Sequence, residues 1–384
     1  LMKGTRSKSA AELAEAIDFL GADLDARARA EYAEMSGGAL SDNFAKLLAL
    51  AGECLLQPSF TPGEVKLEQG RRIDDLMTIK DNPQEAIRYY FQKAWFGGHP
   101  LGRLSIGNEK SLTTISPETI ATWYRGHYVP NSAVLAVVGD ITAAELKRLV
   151  QQYLGSWKAA AAGAGKPTQP ALPQRGQSLY LLIDKPDATQ AYFMLGAPGL
   201  AMGDPRTPDA SVMNTLFGGR FTSWLVTELR VKRGLTYGAR ANLQSWNGLG
   251  LYAISSYTRN EKIGEMLEVT FDLINKARQE GFSDEEVTSG RNYILGQFPP
   301  SLEGQMAKAQ AYTDLHFYGL GGDYYTRFLQ SVAAVQPARA REMAQTLMPA
   351  DPMVLVVVGK AAEIRTQLEK FGTFTVRSIE EAGF

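Results

Sequence analysis

Residues Leu135–Asp140 read LAVVGD, and Leu355–Lys360, 220 residues further on, read LVVVGK. Each is a continuous apolar run rich in valine and closed by Gly, the pattern of a strand buried on both faces. Working outward, SFTPGEV at Ser59 recurs as GFSDEEV at Gly281, an offset of 222, and both lead into long helical patterns. LMKG at Leu1 aligns with LFGG at Leu216, an offset of 215. Similar blocks in the same order, with offsets drifting by a few residues, are the mark of a duplicated domain carrying small insertions.

The two copies are unequal. Before LFGG the second copy has about forty residues, Ser178–Thr215, with two strand-like runs, Leu179–Ile183 and Gln190–Gly196, and a helical stretch from about Pro208 to Phe217. Nothing in the first copy corresponds to them, so its two front strands and most of a helix are expected upstream of Leu1. The opening Leu1-Met2-Lys3-Gly4 resembles neither an ordinary start nor a signal peptide. Residues 1–156 form the first expected domain, 157–177 a linker rich in Ala, Gly, Pro and Gln, and 178–384 the second.

Within the first copy, helix starts are marked by caps: Ser9-Ala-Ala-Glu12, Thr61-Pro62, Asn82-Pro83, Ser116-Pro117 and Thr142-Ala-Ala-Glu145. Asp42–Leu56 reads as a further helix, Ala22–Met35 as a strand, and Ala133–Val138 as a buried strand.

Composition limits the function. The chain of 384 residues is 45% apolar, with 40 Lys and Arg against 41 Asp and Glu. That balance produces no long-range field, which argues against nucleic acid and anionic membranes as partners. No apolar run approaches the ~20 residues of a membrane span. The lone Cys54 excludes an internal disulfide.

The chemistry centres on Trp224–Tyr237, WLVTELRVKRGLTY. It reads as a helix end with Leu225, Leu229 and Val231 on its apolar face, a stop at Gly234, and extended chain from Leu235. Arg230 and Tyr237 can converge across the glycine break, a cation and a phenol able to bind a peptide carbonyl or an oxyanion. From spacing alone a surface Arg and a half-buried strand Tyr is the better fit, since an isolated pair carries little information.

Four stretches carry a resemblance: Leu1–Ala26, Phe96–Leu112 (FGGHPLGRLSIGNEKSL), Tyr128–Asp140 (YVPNSAVLAVVGD) and Leu216–Gly238 (LFGGRFTSWLVTELRVKRGLTYG). Together they resemble, along the whole chain, the inverted zinc-metallopeptidase family of pitrilysin, insulin-degrading enzyme and mitochondrial processing peptidase. The resemblance implies an α+β fold of two homologous domains, each a mainly antiparallel sheet packed against helices. It implies pairing of such units around a peptide or unfolded-protein substrate held as an added edge strand. In active members an H-x-x-E-H zinc motif ends just before the residue matching Leu1. The only histidines here are His99, His127 and His316, and no two are spaced to share a helical face. The family's third zinc ligand, a Glu, falls on Asp75, one methylene shorter, with Glu68 preserved seven residues earlier. Asp74-Asp75 beside Arg71-Arg72 also reads as a salt-bridged helix face. Arg230 and Tyr237 fall on the family's substrate-gripping pair.

The expected function is therefore a non-catalytic or degenerate subunit of a heterodimeric zinc metallopeptidase. It donates Arg230 and Tyr237 in trans within a hetero- or homodimer of same-family chains, and the zinc comes from the partner or from an upstream motif. Two alternatives fit the same residues: an active zinc peptidase whose motif lies upstream, and a structural relative like the core subunits of the respiratory cytochrome bc complex. An exported, periplasmic bacterial protein is the expected setting.

Overall fold

The computed structural model describes residues 1–159, 172–173 and 175–381. Most of the expected linker, 157–177, lies outside the described residues.

The described chain forms two compact units. One comprises residues 1–76, 105–168 and 302–317, the other 77–104, 169–301 and 318–384. These units do not follow the contiguous boundaries 1–156 and 178–384. The repeat explains the interleaving. The SFTPGEV/GFSDEEV offset aligns the helices Pro62–Asp81 and Asp284–Ser301, and then the next ones, Pro83–Phe96 and Gln305–Phe317. Each copy contributes that second helix to the other copy's unit. An amphipathic pattern shows which face of a helix is buried but not which sheet buries it.

The larger unit is built on one sheet of six strands. These are β3 (Leu179–Asp184), β4 (Gln190–Pro198), β5 (Ala239–Trp246), β6 (Leu249–Arg259), β7 (Val354–Gly359) and β8 (Thr375–Ser378), in the order β5-β6-β4-β7-β3-β8. Pairing is antiparallel from β5 to β7 and parallel from β7 through β3 to β8. The valine run in β7 sits between β3 and β4, and Val354–Val358 have no exposed surface. One face of the sheet, through Ala191, Phe193 and Leu195 of β4, enters a core with the helices Thr207–Asn214, Ile263–Gln279 and Pro337–Leu347. The alternate face receives Pro83–Phe96, which packs on β4 and β7. Gly196 permits this contact, because a Cβ there would collide with the Phe91 ring.

The smaller unit holds β1 (Asp23–Ala28) paired antiparallel with β2 (Ala33–Gly38). The expected single strand Ala22–Met35 is thus a hairpin. Its turn, closed by Arg29 N–H to the Tyr32 carbonyl at 2.8 Å, carries no Gly, Pro or Asn to announce it. Leu13, Ile17 and Cys54 form the buried centre beneath it. Gln305–Phe317 joins this unit, with Phe317 edge-on to Tyr32 at 4.9 Å and Gln310 Nε2 donating to Tyr32 Oη at 3.3 Å.

The buried strand expected at Ala133–Val138 does not form. Among the described residues it pairs with no strand, and Leu135 is 53% exposed. Its counterpart β7 is buried because β3 and β4 flank it. No strand lies beside Ala133–Val138 among the described residues. Strand character resides in the pairing, not in the run alone.

Candidate substrate-binding site

The site lies in the larger unit, on the chain between Thr207–Asn214 and β5. That chain passes through two wide π-helical turns, Thr215–Gly219 and Val226–Lys232. Such turns insert an extra residue into a helix and concentrate at functional sites. Gly218 lets the first turn press on β5, since a Cβ there would lie 2.6 Å from that of Ala241. Between the turns, Ser223 N–H bonds the Arg220 carbonyl at 3.1 Å, closing a tight turn with Phe221 at its tip. Trp224 anchors the start of the second π turn: its Nε1 donates to Glu286 Oε1 at 2.7 Å, and its ring meets Phe282 at 4.7 Å.

Leu225 and Leu229 are fully buried in the core. Val231, expected on the same face, is instead 69% exposed. Two residues beyond Leu229 is about half a turn around any helix, so burying Leu229 turns Val231 outward. The helix stops where expected. Gly234 takes φ +59°, its N–H bonds the Arg230 carbonyl at 3.1 Å, and Leu235 N–H bonds the Leu229 carbonyl at 2.8 Å. Each bond spans one residue more than in the usual Schellman cap, the extra residue belonging to the π turn.

Buried hydroxyls on β6 then fix the exit. Thr258 Oγ1 donates to the Leu235 carbonyl at 2.6 Å, and Ser256 Oγ to the Gly238 carbonyl at 2.9 Å. Thr236 Oγ1 accepts the Gly238 N–H at 3.1 Å. With the backbone held on both sides, Tyr237 projects outward, 77% exposed.

Arg230 and Tyr237 therefore meet. The Arg230 guanidinium carbon is 4.5 Å from the centre of the Tyr237 ring and 4.8 Å from that of Phe221, itself 66% exposed. No described carboxylate forms an ion pair with Arg230. A guanidinium stacked on rings keeps its N–H edge free to donate in its own plane. The arrangement can bind carbonyl or carboxylate oxygens and set a phenol donor beside them. Phe221 escaped the sequence reading because it sits in a turn with no periodicity. Its one signal was a large aromatic between polar residues in Gly219-Arg220-Phe221-Thr222-Ser223.

The residues matching the zinc positions are not assembled for metal. Glu68 is half-buried, which pushes its carboxyl up, but Lys3 at 3.1 Å and Arg71 at 2.7 Å outweigh burial and hold it below the usual carboxylate range. Asp75 is exposed on the same helix. His99 is buried and accepts the Leu101 N–H at 3.1 Å, His127 stacks on Trp123, and His316 lies exposed on Gln305–Phe317. Among the described residues no three His, Cys, Asp or Glu gather closely enough to hold a metal ion. Zinc does not fit the donors that the described residues present. No helix among the described residues is long and apolar enough to cross a membrane.

Comparison with known proteins agrees with this architecture. The chain is 25% identical over 366 residues to an uncharacterized zinc protease of Streptomyces coelicolor, covering 93% of this chain and 78% of the relative. It is 26% identical over 306 residues to the uncharacterized zinc protease YmxG of Bacillus subtilis, covering 80% and 73%. Its fold matches the crystal structure of a peptidase M16 inactive domain from Pseudomonas fluorescens, with TM-score 0.85, 22% identity and coverage of 93% and 85%. A protease from Helicobacter pylori matches at TM-score 0.85 and 17% identity, with coverage of 93% and 87%. Residues 1–109 match the family described as Insulinase (Peptidase family M16), residues 114–294 match the Peptidase M16 inactive domain, and the chain belongs to peptidase family M16.

Proposed function

We propose that this chain is the substrate-gripping subunit of a two-chain M16 peptidase. It donates Arg230 and Tyr237 to a peptide that a zinc-bearing chain of the same family cleaves. The observation that carries this reading is the Arg230–Tyr237 pair itself: a half-buried guanidinium over an exposed ring, with the Tyr237 backbone fixed by buried hydroxyls and no carboxylate partner to Arg230 among the described residues. Arg230 donates its N–H edge to backbone carbonyls and orients the peptide. Tyr237 donates its phenol to the carbonyl oxygen on which negative charge grows during hydrolysis. Among the described residues no three metal donors gather, and on this reading attack on the peptide bond falls to the partner.

Mixing the chain with a zinc-bearing M16 partner tests this. Peptide cleavage should require both chains and fall when either Arg230 or Tyr237 is altered. Full activity from the partner alone would overturn it. A second reading, an active peptidase with its zinc motif in residues upstream of Leu1, draws on the designation of its relatives as zinc proteases. Under that reading, a chain carrying those upstream residues binds one zinc and cleaves peptides unaided.

A further inference from the structure

Phe221 has no role in the pair just described, yet the fold holds it in the open. The Arg220–Ser223 turn is closed by its own hydrogen bond. On one side, Arg220 Nη1 donates to Ser289 Oγ at 2.9 Å, and on the other Ser223 is fully buried. A ring that is 66% exposed is therefore carried on a rigid mount. It meets Arg230 and leaves much of its surface to solvent. Exposed apolar surface beside unsatisfied hydrogen-bond donors marks a place where a ligand supplies both an apolar group and an acceptor.

The chain on either side of it is rich in cations, although Arg233 lies 4.0 Å from Glu265 and Trp224 bonds Glu286. Residues 220–240 contain Arg220, Arg230, Lys232, Arg233 and Arg240 against the single acid Glu228, in a chain of net charge −1. Glu228 is engaged by Lys232 at 2.5 Å. This excess of cations repels a basic peptide and attracts a neutral or acidic one.

We infer that Phe221 is a specificity-determining residue: its ring forms a preformed subsite for an apolar side chain of a neutral or acidic extended peptide, next to the residue whose carbonyl Arg230 grips. The inference rests on the peptide-binding reading of Arg230 and Tyr237. Because the turn is already ordered, little freedom is lost when the side chain docks.

The test is fluorescence anisotropy of the whole chain with short labelled host peptides. One guest position is Ala, Leu or Phe, and the flanks are either Glu-rich or Lys-rich. Covering an apolar side chain on one ring should make Leu and Phe guests bind about tenfold more tightly than Ala. Phe221→Ala should bring that ratio close to one, Phe221→Trp should retain it, and Lys-rich flanks should weaken every peptide. The ring is exposed, so circular dichroism of Phe221→Ala should match the parent. A guest ratio that survives Phe221→Ala overturns the subsite, including the case where all peptides weaken equally because Phe221 only steadies Arg230. Arg230→Ala separates the two ideas. If binding persists in Arg230→Ala while the guest ratio still depends on Phe221, the gripping role falls and the subsite stands. If Arg230→Ala abolishes binding and the ratio ignores Phe221, the reverse holds. A parent chain that binds no peptide refutes both.

Discussion

Tyr237→Phe isolates one atom of the site. The phenol oxygen has no hydrogen-bond partner among the described residues, and the side chain is 77% exposed. Removing it should leave stability within about 0.5 kcal/mol. The ring stays, so the 4.5 Å stack on Arg230 stays with it. What is lost is a single donor to a developing oxyanion, which typically costs about 10²–10³ in rate. Tyr237→Ala also removes the ring, and a surface cation–π contact adds only about 0.5–1 kcal/mol to that loss. Most of the effect should therefore appear already in the Phe variant. The assay is single-turnover cleavage of a fluorogenic peptide by the chain mixed with a zinc-bearing M16 partner, with assembly followed by sedimentation and stability by denaturant melts. A rate within a few-fold of the parent, at unchanged assembly, would refute the oxyanion role. A loss accompanied by failed assembly would place Tyr237 in the interface instead.

Further substitutions probe the rest of the molecule. Thr258→Val removes the hydroxyl that satisfies the Leu235 carbonyl and should cost about 1–3 kcal/mol in urea unfolding. Leu355→Ala, in the fully buried β7, should cost about 2–5 kcal/mol, whereas Leu135→Ala at the corresponding exposed position should change stability by less than about 0.5 kcal/mol. Burial and nearby Glu34 raise the Asp314 carboxyl above its ordinary value. Its protonated form is therefore favoured in the fold, and stability drains away as pH rises from about 3.9, the unfolded value, through the raised folded one. Asp314→Asn should flatten that part of the stability–pH curve and stabilise the chain at neutral pH. Metal analysis of the purified chain should find no stoichiometric zinc. One chelator-removable zinc per chain would contradict the donor geometry around Glu68 and Asp75.

Local chemistry was legible wherever one residue type satisfies one backbone need. Ser9 caps its helix by accepting the Glu12 N–H while the Glu12 carboxylate accepts the Ser9 N–H at 2.8 Å, the reciprocal pair that Ser-x-x-Glu announces. Asn82 and Ser116 cap their helices as their positions ahead of proline suggest. That Arg230 and Tyr237 could meet was legible because Gly234 supplies a left-handed residue for the reversal, but spacing favoured a surface Arg and a half-buried Tyr, and only the resemblance singled the pair out. Properties of partners were not legible. Ala133–Val138 has a strand's composition without flanking strands among the described residues, and Phe221 acquires meaning only through the guanidinium beside it. The π turns were hidden too, since shifting one residue in a helix leaves its apolar pattern almost intact over so short a stretch.

The interleaving of the two units constrains how the chain can be made and cut. On the ribosome the smaller unit stays unfinished until residue 317 has emerged, because one of its helices is encoded in the second copy. The larger unit depends in turn on residues 77–104, translated long before its sheet exists. Cleavage within 157–177 would not yield two free-standing domains, since each product would lack a helix held by the other. Ancestral duplication thus produced two units that share one fate in synthesis, in proteolysis and in any attempt to express them apart.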